Sequence, residues 1–289
     1  MSSGQPAAVA RRSGLTQQQF VSEFVNTLTP VIVTDGFEHW TARTRWSLSF
    51  FRERYGARQV EVDGVAYTLS QLIDLVEHST AAAPAPYLRN VLIEDWAPEL
   101  LTDILPLPRH ARPNWLDSWF FPERPSLTSL ELYIGGAGAV FPVLHYDNLH
   151  THAFLMQICG TKEYIVYSPD QSAFMYPQEG SGSNKSSVND PEHPDLQRYP
   201  LFSRTVASRC VLRAGEMLFV PAGWWHSARI LEPTITVSAN TVNRANWRSF
   251  AADYIARIRR HRARPQAAAL AAYARCFGFI ASLVTMCLE

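Results

Sequence analysis

The 289-residue sequence predicts a mainly β protein, an antiparallel sandwich or barrel with flanking helices, on three observations. Six short strand-like segments recur between turn signals: Leu130 to Ile134, Ala153 to Ile158, Glu163 to Tyr167, Ser208 to Leu212, Met217 to Val220 and Thr234 to Val242. Gly135-Gly136, Gly160, Ala214-Gly215 and Ala222-Gly223 punctuate them. The last segment alternates: Thr234, Thr236, Ser238 and Asn240 share one face, and Ile235, Val237 and Ala239 the other. That stripe is either a polar lumen wall or a face that meets water. Beyond Arg244 the period becomes helical.

Ahead of the strands, Thr16 to Asn26 reads as a helix with Phe20, Phe24 and Leu28 on one side. Pro30 to Thr34 is a β-branched strand closed by the Asp35-Gly36 turn. Ser47 to Tyr55 is a helix capped by Gly56, Gln59 to Val62 and Val65 to Leu69 form a hairpin around Asp63-Gly64, and Leu69 to His78 is helical. Ala81 to Pro86 reads as a linker, and Trp96 to Pro125 as irregular with a short helix over Pro98 to Ile104. Near the C-terminus Trp247, Phe250, Tyr254, Ile255 and Ile258 make one apolar stripe, with Arg248, Arg257, Arg260 and Arg264 off it. Pro265 ends that helix and another runs from Gln266.

The organisation expected is a disordered tail over 1–14, α/β elements over 15–128, a β core over 129–243 and C-terminal helices over 244–289. Twenty-six basic and 26 acidic residues cancel, so no global charge argues for nucleic acid or an anionic membrane. Cys159, Cys210, Cys276 and Cys287 have no paired spacing and read as reduced thiols of a cytoplasmic protein. Residues 1–14 lack the apolar run of a signal peptide, and Cys276 to Leu288 is too short to span a bilayer.

The chemistry concentrates in His145-Tyr146-Asp147 and in His226 of Val220-Pro-Ala-Gly-Trp-Trp-His226. In extended backbone, positions i and i+2 project together, so His145 and Asp147 can reach one metal while Tyr146 points away. With His226 on the following turn, two imidazoles and a carboxylate make the facial set of non-haem Fe(II) oxygenases. H-x-D alone is a weak motif; its surroundings decide. Lys162 shares a strand face with Tyr164 and Val166. If that face lines a lumen, its ammonium needs an anion; from spacing alone a solvated lysine beside a hairpin is the simpler reading. His150 and His152 read as rim or packing residues, and Trp224-Trp225 as bulky core beside a turn.

A longer series of motifs carries a resemblance: His145-Tyr-Asp147, Gln157-Ile-Cys-Gly-Thr-Lys162, Tyr167-Ser-Pro-Asp-Gln171, Pro194-Asp195, Tyr199-Pro200, Ala214-Gly-Glu216, Val220 to His226 and Ile235-Thr-Val. In this order they resemble the JmjC/cupin-like 2-oxoglutarate oxygenases, most closely the branch of the asparaginyl hydroxylase acting on hypoxia-inducible factor. Trp40, Trp46 and Tyr55-Gly56 are similar to the family's lead-in, so the likeness covers roughly residues 20 to 245.

The resemblance implies a double-stranded β-helix (cupin/jelly roll) with a C-terminal helical extension. It makes His145, Asp147 and His226 the iron ligands, gives Lys162 the C5 carboxylate of 2-oxoglutarate, against the simpler reading, and sets Asn240 near that co-substrate. The sequence departs from the branch in three places. Phe141-Pro142 stands where a carboxylate-binding threonine is expected, the stretch between Asp147 and Gln157 is longer, and Asn184-Lys185 replaces a substrate-contacting pair. The implied function is hydroxylation of a protein or peptide side chain, with succinate and CO2 as co-products. N-methyl demethylation, small-molecule hydroxylation and a non-catalytic cupin-like binding protein are the alternatives.

Asn184 and Lys185, in the Gly/Ser/Asn-rich stretch Ser181 to Asp190, are expected to touch substrate from a mobile loop. A homodimer is expected through the stripe Trp247-Phe250-Tyr254-Ile258 and the helix carrying Tyr273, Phe277, Ile280 and Val284.

Overall fold

The computed structural model describes residues 8–118, 121, 130–180, 184–262 and 264–288. Two facing sheets form the centre. The larger has seven strands in the order β1-β2-β10-β7-β12-β6-β5. These are β1 (Ala10–Arg12), β2 (Val31–Val33), β5 (Leu88–Leu92), β6 (Glu131–Gly135), β7 (His152–Cys159), β10 (Met217–Val220) and β12 (Thr234–Thr241). The smaller has the order β11-β8-β9, from β8 (Thr161–Tyr167), β9 (Ser208–Arg213) and β11 (Trp225–Ile230). Bridges from Val140 to Arg229 and from His145 to His226 and Lys185 extend its free edge. β3 (Gln59–Val62) and β4 (Val65–Thr68) form a separate hairpin. Every pairing is antiparallel except that of β1 with β2. This is the expected mainly β, cupin-type architecture with flanking helices.

The chain crosses between the sheets at Gly160, whose φ of +70° is left-handed and where a Cβ would run into the carbonyl of Pro233. Strand alternation then sorts the residues. Phe154, Met156 and Ile158 of β7 face outward and pack with Phe20, Trp46, Phe51 and Ile73 of the N-terminal elements. Ala153 and Leu155 face inward. Tyr164, Val166, Leu212, Leu218 and Ala228 join the sheets across the interior. The outer face of the smaller sheet is sealed by Trp225, Tyr167, Phe202, Met175 and Val188. Truncating a fully buried ring such as Phe154 to alanine costs about 3–5 kcal/mol in such a setting.

The helical expectations at 47–55 and 69–78 are met by helices Leu48–Tyr55 and Leu69–Glu77, capped by Ser47 and Thr68. Thr16 and Gln19 form a capping box, but the helix they open widens into a π turn over Val21–Val25. Three strands escape the sequence reading: β1, β5 and β11. β1 corrects the expectation of a disordered tail over 1–14. Arg11 in it pairs with Glu216 at 3.0 Å and donates to the carbonyl of Val211, stitching the segment to the open edge of β2. Residues 1–7 and the expected boundary at 128–129 lie outside the described residues.

The C-terminal helices are Trp247–His261 and Arg264–Leu288. The apolar stripe of the first is not left for a second subunit. Phe250, Tyr254 and Ile258 are buried against Trp115, Leu116, Phe121 and Phe277 of the same chain. The segment read as irregular supplies the cover. On the second helix Tyr273 and Ile280 stay exposed, while the side chain of Val284 lies outside the described residues. Among the described residues no helix is long and apolar enough to cross a membrane.

Candidate active site

A cavity of about 1180 Å³ opens between the sheets, with Thr236, Ser238 and Asn240 of β12 on one wall and Lys162, Tyr164 and Ala228 opposite. The polar stripe of β12 therefore faces a lumen. Its fourth member, Thr234, instead bonds the buried Gln157 side chain and the carbonyl of Cys159.

His145, Asp147 and His226 meet in this cavity, with ligand atoms all within 4.8 Å of one another. His145 sits in extended backbone bridged to His226, and Asp147 follows with φ −63° and ψ 142°. Side-chain parity thus holds without a long strand. His226 is not on the turn itself but is the second residue of β11, paired with Val166 of β8. The turn ahead of it needs Gly223, whose φ is +79°. Trp225 faces away into the outer core and donates to Ser172 at 2.9 Å, while Trp224 donates to the carbonyl of Leu28 at 2.8 Å.

Both imidazoles are oriented by the same kind of contact. The Nδ1 atoms of His145 and His226 lie 2.9 Å and 3.0 Å from the carbonyls of Val143 and Trp224, so each Nδ1 carries the proton and each Nε2 keeps its lone pair. Burial, reinforced by the neighbouring His226, pushes His145 down to about 3, so it stays neutral. Burial pushes the Asp147 carboxyl up, against the opposing pull of His226 and the Asn240 amide. A buried carboxyl group beside two imidazoles is a donor set that a cation can complete.

Lys162 lies at the closed end, 1% exposed. Its Nζ donates to the hydroxyl of Tyr87 at 2.7 Å and sits 5.1 Å and 5.6 Å from the ring centres of Tyr87 and Tyr133. No carboxylate is within ion-pair reach among the described residues, and burial lowers Lys162 to about 7. Tyr87 is a residue that the sequence reading did not single out; it precedes β5 and meets Lys162 only through the tertiary fold. Glu131, Tyr133 and Asn90 were also missed. Tyr133 donates to Glu131 at 2.6 Å and Asn90 donates to both, at 3.0 Å and 2.8 Å. The alternation of Glu131 and Tyr133 with Leu132 and Ile134 was the available signal.

Asn240 donates to Thr151 at 2.9 Å beside Asp147. Asn184 donates to the carbonyl of Tyr146 at 2.8 Å and to Asn148 at 3.0 Å, so its amide clamps the Asp147 segment and Lys185 is the member of the pair left at the cavity mouth. Residues 181–183 of the loop expected to be mobile lie outside the described residues. His150 bonds Asp253 at 2.6 Å, tying the turn to the first C-terminal helix. His152 is buried against Phe219 and accepts from the backbone of Ala222 at 3.0 Å. Neither histidine joins the triad.

The cupin-like domain family matches residues 16–243. The chain belongs to the cupin-like domain family. Among curated relatives it is similar to lysine-specific demethylase JMJ30 of Arabidopsis thaliana, 30% identical over 80% of this chain and 54% of the relative. It is likewise 30% identical to lysine-specific demethylase 8 of Danio rerio, over 76% of this chain and 55% of the relative. The human bifunctional peptidase and (3S)-lysyl hydroxylase JMJD7 is 26% identical over 77% of this chain and 80% of its own length. The chain spans about half the length of the first two.

Proposed function

We propose that this cupin-like protein is an Fe(II)- and 2-oxoglutarate-dependent oxygenase that hydroxylates a protein or peptide side chain. The observation that carries the reading is one lumen holding both a three-donor set and a buried lysine amine with no carboxylate partner among the described residues. His145 and His226 would hold the ion through Nε2 and Asp147 through its carboxylate. Bound Fe(II) would supply the oxidation chemistry with dioxygen and 2-oxoglutarate, which leaves as succinate and CO2. Lys162 and the Tyr87 hydroxyl would take the C5 carboxylate, Tyr87 serving where the threonine is replaced by Phe141-Pro142. Asn240 would orient the co-substrate and Asp147 from β12, and Lys185 would meet the substrate.

The names of the relatives favour N-methyl demethylation as the second reading, since two are called lysine-specific demethylases and one a lysyl hydroxylase. The likeness to the asparaginyl hydroxylase branch rests on the motifs alone. Incubation of peptide libraries, methylated and not, with enzyme, Fe(II) and 2-oxoglutarate separates the readings by mass spectrometry. Hydroxylation adds one oxygen atom to the peptide, whereas demethylation removes a methyl group and releases formaldehyde. Absence of any iron-dependent succinate would leave only a binding protein.

For assembly, we propose a homodimer through the second C-terminal helix, where Tyr273 and Ile280 are exposed. A dimeric mass by light scattering at micromolar concentration is expected, falling to a monomer when both residues are changed to glutamate. A monomeric mass for the unaltered chain removes the proposal.

A further inference from the structure

The chain as a whole is neutral, but the mouth of the cavity is not. Arg257, Arg260 and His261, with Asp253 and Ala256, recur at helical spacing on the face of the first C-terminal helix that borders the opening, and Arg259 reaches it as well. Lys185 lines the same cavity from the edge of the smaller sheet, where it pairs in register with His145. The acids that line the cavity are Asp253, Asp147 and Glu131. Asp253 holds His150, Asp147 belongs to the triad, and Glu131 lies inside under Tyr133 and Asn90. Arg89, also at the opening, is paired with Asp63. Arg257, Arg259, Arg260 and Lys185 have no ion-pair partner among the described residues and are exposed to solvent.

The helix is also fixed in place. Asn246, buried at its start, donates to the carbonyl of His150 at 2.9 Å, and the His150–Asp253 contact repeats the tie two turns on. The cations therefore stand in a set position relative to the triad. Cations without ion-pair partners that line one low-dielectric cleft make a field that concentrates anions.

We propose that this rim is a docking surface for an acidic peptide segment, whose carboxylates pair with Arg257, Arg260 and Lys185 while a neighbouring side chain enters the cavity towards His145, Asp147 and His226. The inference rests on the oxygenase reading and names its substrate class. Peptide is favoured over nucleic acid because base recognition needs an open aromatic platform. The aromatic rings at the opening are already engaged: Tyr146 lies on Trp225 and His150, and Phe141 stacks on His145 at 4.7 Å.

The test is fluorescence anisotropy with a labelled Glu-rich peptide in saturating 2-oxoglutarate, which removes any contribution from co-substrate attraction. A Gln-for-Glu peptide and a single-stranded oligonucleotide of equal charge are the comparisons. The Glu-rich peptide is expected to bind, to weaken as salt rises, and to lose roughly tenfold or more in affinity in R257E/R260E, as reversal of two rim charges requires. R257K/R260K, which keeps the charge, should retain binding. Equal binding of the Gln peptide, undiminished binding by R257E/R260E, or tighter binding of the oligonucleotide would overturn the proposal. Because the readout needs no iron, failed peptide binding beside intact iron-dependent succinate formation counts against this inference alone. Peptide binding without succinate formation counts against the oxygenase reading alone.

Discussion

Asp147→Ala is expected to abolish iron-dependent succinate formation and to do so without unfolding the protein. Removing residues that only orient metal ligands typically costs about 10–100-fold, so loss of one of three donors should exceed that. The fold should tolerate the change for two reasons. Asp147 sits at the start of the short 3-10 turn Asn148–His150, but its side chain makes no capping hydrogen bond there. Its carboxyl is also pushed up by burial, which sets the sign of its stability contribution. A carboxyl raised in the folded state favours folding at low pH, and that contribution is lost as pH rises through the folded value. Near neutral pH and without metal, the alanine protein should therefore melt no lower than the parent. Adding Mn(II) as a redox-inert probe at a hundredfold excess over Kd should stabilise the parent by about 2.7 kcal/mol, read as a higher Tm, and leave Asp147→Ala unmoved. Equal stabilisation of both proteins would remove the triad assignment even if activity were lost.

The meeting of the three candidate donors is legible because it obeys a local rule. His145 and Asp147 need only extended backbone between them, and His226 follows a turn that Gly223 announces. What the sequence could not display is what depends on distant partners. β11 escapes because nearly all of Trp225–Ile230 is buried, which erases alternation, so the sequence puts the third candidate ligand on the turn and not on its strand. β5 was missed because Asn90, at φ 55°, interrupts the period and shifts the register against β6. Tyr87 goes with it, so the hydroxyl that holds Lys162 had no signal of its own. The same blindness misassigned the stripe Trp247-Phe250-Tyr254-Ile258. A hydrophobic pattern states that a face must be covered but not by what, and Trp115 and Phe121 come from a segment without periodicity.

Lys162→Ala should raise the KM for 2-oxoglutarate by about 10–100-fold, the worth of a charge-assisted contact of roughly 1.5–3 kcal/mol, while metal-induced stabilisation changes little. Arginine should not restore it, because Tyr87 and Tyr133 leave room around Nζ for a compact ammonium and not for a planar fork. The pH dependence separates this role from a packing role. Burial lowers Lys162 to about 7, so the free protein loses the ammonium as pH rises past that value. A bound C5 carboxylate favours the charged form, so binding above this pH takes up a proton. The KM should then climb with pH by up to about tenfold per unit, starting near neutrality and ending where the complex itself deprotonates. In Lys162→Ala that slope should vanish, leaving a KM that is high and flat. A variant with raised KM but an unchanged slope would mean that another group carries the titration and that Lys162 only fills space.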